Sequence, residues 1–330
     1  MNRFTAVCLA LLLAFGCTVT AFAADSGSYG AYSHVVIVGI DGAGRFIRQA
    51  HTPNFDRVFK DGAVDYTART ETKTDSGPNW GAMLTGASFL KTKMENGTVS
   101  SEQRTSDTKY PSVFNVVRQA MPDSALASYV NWNAINYGII ETDIGVEEVN
   151  ITDDNALTDA ICAYFDAGNT PTLFFVQLDS VDGAGHSYGS GSTEYFAAIE
   201  TADGYLGRIF DALERNDMLD DTLLIVAADH GHKLRGGHGR FSMRETNTTI
   251  AVRGKTVISG GTMDKCTRTR DVAAIALYAL GVERPDSMTS RVPANVFVDV
   301  RGERRAIYKD PFDAVTSALA WIVTLCTAWI

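Results

Sequence analysis

Three short runs of aliphatic and β-branched residues punctuate the chain: His34–Ile40 (HVVIVGI), Thr172–Leu178 (TLFFVQL) and Thr222–Ala228 (TLLIVAA). Each is the length of a strand, too short for a helix, and apolar at successive positions rather than alternating, which predicts strands buried on both faces. Between them run amphipathic stretches at helical spacing, most clearly Asn155–Ala167 and Glu194–Arg215. Alternation of buried strands with such helices predicts an α/β fold with a mostly parallel central sheet and helices on both faces. The pattern shows neither an internal repeat nor a dividing linker, so residues 24–313 are expected to form one domain. The polar, Ser- and Thr-rich segment 91–109 reads as a loop or a flap over a site.

The two ends depart from that pattern. Residues 1–23 hold a single charge, Arg3, then an apolar run Val7–Phe15 and the small-x-small sequence Ala21-Phe22-Ala23. These are the parts of a secretory signal peptide with cleavage after Ala23, and the apolar run is short of the roughly 20 residues a membrane span needs. Export to a secreted, periplasmic or cell-surface location is the expectation. Residues 314–330 are uncharged and include Trp321 and Trp329. A packed helix, a membrane anchor and a lipid-anchor signal all fit such a tail. The basic residues Arg301, Arg304, Arg305 and Lys309 before it oppose a simple span, because export would leave them outside.

With 45% hydrophobic and 21% charged residues, the composition is that of a globular protein with a large core. The formal net charge is −10, and the acidic surface argues against a nucleic-acid-binding module. Cys8 and Cys17 leave with the leader; Cys162, Cys266 and Cys326 remain, an odd number that makes no disulfide framework. Sequons stand at Asn96, Asn150 and Asn247.

Chemistry collects where the strands end. In open α/β sheets ligands bind beyond the carboxyl ends of strands, and Asp41, Asp182 and Asp229 each stand at or just past one. Asp182 and His186 make D-x-x-G-H, four residues apart, able to meet on one cation if they lie in a turn or first helical turn after the strand. Asp229 and His230 make D-H-G, and His238 follows in GGHG. Neighbours on a strand face opposite ways, so Asp229 and His230 can share a site only if the chain leaves strand geometry at Ala228. Carboxylate and imidazole donors in an exported protein favour zinc over manganese, magnesium or calcium. In KTDSGPNWGAMLTG, residues 73–86, Pro78 suits a first helical turn, which puts Ser76 at a helix N-terminus where amides and the dipole favour an anion. Asp75 would cap that helix or shape the turn with Thr74.

Taken together and in this order, VVIVGIDG, S-G-P-N, D-G-A-G-H, A-D-H-G and G-H-G resemble the alkaline phosphatase superfamily, and most closely its type I phosphodiesterase and nucleotide pyrophosphatase branch, over about residues 34–300. The resemblance implies two divalent metal ions, zinc in similar enzymes: one held by Asp41, Ser76, Asp229 and His230, the other by Asp182, His186 and His238. It implies that Ser76 attacks phosphorus to give a phosphoseryl intermediate that water then cleaves, with the Gly77 amide and the Asn79 side chain donating to nonbridging oxygens. The substrate would be a small-molecule phosphodiester or pyrophosphate. Phosphomonoester hydrolysis, or transfer of the phosphoryl group to an alcohol or lipid head group, are the alternatives. Relatives in this branch commonly use Thr where Ser76 stands. Trp80 occupies the place of the Arg in the sulfatase maturation motif, which argues against a sulfatase. Trp80 and Trp132 would either stack on a leaving group or pack in the core. His34 and His51 are expected to be ordinary polar residues, and His232 and Lys233 to lie in a solvated loop.

Overall fold

A computed structural model describes residues 27–264 and 267–301. The leader and the apolar tail, and with them Cys266 and Cys326, lie outside the described residues. No helix among the described residues is long and apolar enough to cross a membrane.

Seven strands form one sheet: β1 (His34–Ile40), β2 (Ala63–Arg69), β3 (Leu126–Val130), β4 (Glu147–Asn150), β5 (Leu173–Leu178), β6 (Thr222–Ala227) and β7 (Asn247–Arg253), in the order β2-β7-β6-β1-β5-β3-β4. The run β6-β1-β5-β3-β4 is parallel, and β7 is antiparallel to both β6 and β2. The mostly parallel sheet is as expected from the sequence, with one antiparallel strand added near its edge. The three strands read from the sequence, β1, β5 and β6, are the adjacent central ones. Their alternate residues feed two cores. Val35, Ile37, Phe175 and Ile225 face one side, with Trp80, Phe114 and Ile275 from the helices Ser76–Thr85, Val113–Ala120 and Asp271–Ala279. Val36, Val38, Phe174 and Val226 face the other, with Phe55, Ile161 and Leu206 from Pro53–Phe59, Asp154–Asp166 and Thr193–Arg215. Burial on both faces explains why these strands lack polar alternation.

The two helices read from periodicity begin one residue earlier than their apolar pattern, because side-chain caps set their starts. Asp153 accepts from the Ala156 amide and Ser192 from the Tyr195 amide, and a cap of this kind is worth about 1 kcal/mol. The segment 91–109 is loop over most of its length, as expected, with more structure and burial than a free flap would have. It holds the short helix Asn96–Ser101, and Met94 and Val99 are buried in the core. Gly81 and Gly138 leave the space they fill, since a Cβ on either would lie 2.6 Å from Met94 Sδ or 1.9 Å from the Val99 carbonyl.

Candidate metal centre and active site

Because β6, β1 and β5 are neighbours and parallel, their carboxyl ends bring the three acidic clusters together at one edge of the sheet. Asp41 follows β1. Asp182 and His186 sit one turn apart on the helix Ser180–Tyr188, which begins two residues past β5. β6 ends at Ala227, so Asp229 and His230 are free of strand geometry, as a shared site requires. Ser76 is the first residue of the helix Ser76–Thr85.

The first donor group is Asp41, Asp229, His230 and Ser76. His230 Nε2 lies 3.5 Å from Asp41 Oδ1, 3.3 Å from Asp229 Oδ2 and 3.2 Å from Ser76 Oγ. Nitrogen and oxygen donors bind zinc at about 2.0–2.1 Å, so two of them on one tetrahedral ion stand about 3.3 Å apart. All three separations are close to that edge. The carboxylates divide their labour between protein and site. Asp41 Oδ2 accepts from Trp80 Nε1 at 2.8 Å and Gln177 Nε2 at 3.0 Å, and Asp229 Oδ1 from the amides of Gly42 at 3.1 Å and His230 at 2.8 Å. Their other oxygens, Asp41 Oδ1 and Asp229 Oδ2, are buried without a hydrogen-bond partner. An unpartnered buried carboxylate oxygen is costly unless a cation meets it.

Asp182, His186 and His238 make a second set: His186 Nε2 is 3.3 Å from Asp182 Oδ2, His238 Nε2 is 3.6 Å from Asp182 Oδ1, and the two imidazole nitrogens are 3.0 Å apart. The two sets adjoin, with His230 Nε2 4.0 Å from Asp182 Oδ1. Proximity alone groups Asp41, Asp229 and His230 as one potential cation site and Asp182, His230, His232 and His238 as another. His238 Nδ1 faces Asp75 Oδ1 at 3.5 Å; Asp75 is therefore turned to the imidazole and does not cap the helix with its side chain.

Electrostatics match a cation-binding centre. Burial, then the repulsion of neighbouring carboxylates, pushes the Asp41 carboxyl well above its ordinary range, and burial pushes Asp229 up in the same way. Burial likewise holds the His230 imidazole far toward its neutral form, the form that binds metal. Partial burial raises Asp182 too, but hydrogen bonds from His186 and His232 outweigh that and keep it well below the carboxylate range.

Several expectations change. The Asn79 amide is occupied by main chain: Nδ2 donates to the carbonyls of Lys73 and Asp75, both at 2.8 Å, and Oδ1 accepts from the Glu71 amide at 2.8 Å. It braces the turn that presents Ser76, because an Asn side chain satisfies main-chain groups that a tight helix entry leaves open. The Gly77 amide donates to Asn96 Oδ1 at 2.7 Å. Trp80 is fully buried and is neither surface nor stacking platform. Trp132 packs against the core. His34 Nδ1 pairs with the Pro171 carbonyl at 2.8 Å, and His51 is exposed. His232, expected in solvent, is fully buried with Nε2 2.8 Å from Asp182 Oδ1. Its signal in the sequence was its place two residues from His230, in D-H-G-H. Gln177 was legible as the one polar residue within LFFVQL.

The family model for type I phosphodiesterase / nucleotide pyrophosphatase matches residues 103–236. That span contains Asp182, His186, Asp229 and His230. A GPI ethanolamine phosphate transferase 1 from Gibberella zeae is 29% identical over 144 residues, which cover 37% of this chain and 15% of that protein. Thus the match spans well under a fifth of the relative's length. Murine ectonucleotide pyrophosphatase / phosphodiesterase 5 shares the fold at a TM-score of 0.61 and 14% identity, over 76% of this chain and 96% of that one. An alkaline phosphatase superfamily protein from Vibrio parahaemolyticus shares it at a TM-score of 0.62 and 18% identity, over 80% and 70%.

Proposed function

We propose that this chain, alkaline-phosphatase-like in fold and matched by the type I phosphodiesterase / nucleotide pyrophosphatase model, is a two-metal enzyme that cleaves phosphodiesters or pyrophosphates through Ser76. The observation that carries the reading is the pair of adjoining donor sets, with separations of 3.0–3.6 Å, the first of which includes the Ser76 hydroxyl. Asp41, Ser76, Asp229 and His230 would hold one ion, and Asp182, His186 and His238 the other. When bound, two divalent cations, zinc by the chemistry of the donors, supply the charge that favours the Ser76 alkoxide and offsets the charge developing on the phosphoryl group.

The chain's own groups then do the following. The helix entry braced by Asn79 fixes Ser76 Oγ toward the site. Its oxygen bonds to phosphorus as the bond from phosphorus to the leaving oxygen breaks, and the leaving oxygen takes a proton. In the second half an acceptor oxygen bonds to phosphorus, its proton departs, and the Ser76 Oγ–P bond breaks. With the Asn79 amide engaged, Asn96 is the better donor to a nonbridging oxygen. Its Oδ1 is held by Gly77 and it sits exposed at the mouth of the nucleophile turn. Of the cations that could meet the extra charge of a monoester, Lys73, Lys233 and Arg235, Lys73 is already 3.5 Å from Asp75 and 3.4 Å from Glu95, which weighs toward diesters as far as Lys73 is concerned.

A specific observation favours a second reading of the final step. The ethanolamine phosphate transferases that match this chain are named for transfer, so the acceptor is either water or an alcohol such as a lipid head group. Turnover of an aryl diester, an aryl monoester and an aryl sulfate, with and without added alcohol, tests both readings. The expected result is diester cleavage at least tenfold above monoester, with sulfate poor. A monoester preference would overturn the diester assignment, and a phosphorylated alcohol among the products would identify a transferase. The export and tail-anchoring expectations are tested by the N-terminal sequence of the mature protein and by its partition between soluble and membrane fractions.

A further inference from the structure

We propose that His232 is a positioning residue for the second cation site: its Nε2–H holds the Asp182 carboxylate in the orientation at which Asp182, His186 and His238 converge on one ion. The inference rests on the two-metal reading above and concerns a side chain which that reading leaves without a role.

Proximity by itself would make His232 a ligand, since its Nε2 belongs to the same close group as Asp182, His230 and His238. The distances separate the two roles. Donors sharing a tetrahedral zinc stand about 3.3 Å apart; the His186 and His238 nitrogens are 3.0 Å from each other, and they lie 3.3 Å from Asp182 Oδ2 and 3.6 Å from Asp182 Oδ1 respectively. His232 Nε2 is 2.8 Å from Asp182 Oδ1, the length of a charge-assisted hydrogen bond. The far side of the ring agrees. His232 Nδ1 is buried with no partner. With the proton on Nε2 it is a bare acceptor; with Nε2 on an ion it would be a buried N–H without an acceptor, the rarer and costlier state. A fourth protein donor would also fill the position that a catalytic site keeps open for its substrate.

The ring is held in a built slot. A Cβ on Gly185 would lie 2.3 Å from His232 Cδ2, and one on Gly42 would lie 2.7 Å from Nε2. Both glycines belong to the segments that carry Asp182 and Asp41, so the motifs leave room for an imidazole between them. The main chain is tied as well: the His232 carbonyl accepts from Ser190 Oγ at 2.7 Å, and Ser190 Oγ accepts from Arg244 at 3.0 Å. A carboxylate between two imidazoles, His186 on one oxygen and His232 on the other, has little freedom to rotate.

The test is titration of metal-free protein with Co2+ in competition with a chromophoric chelator, on wild type, His232→Gln and His232→Leu. Gln keeps an N–H donor; Leu keeps similar bulk without one. Wild type should take up two ions. His232→Leu should bind the second about 10–100-fold more weakly, His232→Gln should recover most of that loss, and both should show the wild-type cobalt absorption spectrum at saturation, because no ligand has been removed. A changed spectrum at saturation in both variants would make His232 a ligand and overturn the proposal. Wild-type affinity in His232→Leu with a lower Tm would make it a filler of the slot and overturn it equally. Should His232→Leu not fold, the saturated spectrum and affinity of His232→Gln still decide between hydrogen-bond donor and ligand. Fewer than two ions in the wild type would refute the two-metal reading itself, separately from the role of His232.

Discussion

Trp80→Phe removes one N–H from the centre and leaves an aromatic ring in the core. Trp80 Nε1 donates to Asp41 Oδ2 at 2.8 Å, and both groups are buried. The slot is shaped for indole: a Cβ on Gly39 would lie 2.4 Å from the Trp80 ring, whose centroid is 5.7 Å from that of Phe175. Two effects follow and can be separated. Loss of ring volume leaves a void and lowers the Tm of metal-free and metal-loaded protein alike. Loss of the hydrogen bond leaves Gln177 as the remaining donor to that oxygen and frees the Asp41 carboxylate to turn. A hydrogen bond to a charged group is worth about 1.5–3 kcal/mol. At about 1.4 kcal/mol per tenfold, the first ion should bind about 10–100-fold more weakly. The assay is metal affinity by chelator competition, together with the rise in Tm on metal addition, which isolates binding from packing. Affinity within twofold of wild type would refute the claim that Trp80 supports a metal ligand.

Chelation should abolish turnover and zinc should restore it; activity that survives prolonged chelator treatment would contradict a two-metal enzyme. Zinc uptake should release protons wherever the raised Asp41 and Asp229 carboxyls are still protonated, because the metal takes the place of those protons. Affinity should therefore climb with pH through that raised range. In the metal-free protein the sign is reversed: a carboxyl raised by folding gives stability that is complete below its unfolded value and lost as pH rises through its folded value. Calorimetry in buffers of different ionisation enthalpy measures the protons, and an enthalpy independent of buffer would refute the argument. Ser76→Ala should lose nearly all turnover yet keep both ions, since Asp41, Asp229 and His230 remain; near-wild-type turnover would remove Ser76 from the chemistry.

The sequence carries the centre of this fold plainly because β1, β5 and β6 are buried on both faces and their apolar runs have no competing reading. The outer strands are less legible. β4 (EEVN) is mostly exposed and polar, and β7 (NTTIAVR) mixes buried threonines with aliphatics, so what places them is pairing with neighbours rather than local pattern. At the site, residues directly after a central strand were legible, since strand ends determine where Asp41, Asp182 and Asp229 go. Groups whose role depends on what another segment leaves open were not. Asn79 looks like a donor to substrate until the main chain of residues 71–75 is seen around it. His232 looks like a loop residue until Gly42 and Gly185 are seen to make its slot. Trp80 lies far in sequence from the aspartate it supports.

The stereochemical course at phosphorus tests the central claim most directly. An attack by Ser76 followed by a second in-line displacement inverts phosphorus twice, so a diester made chiral at phosphorus with sulfur or oxygen isotopes should give product with net retention. A single direct attack by water on the substrate would give inversion, and inversion would contradict the assignment of Ser76 as nucleophile.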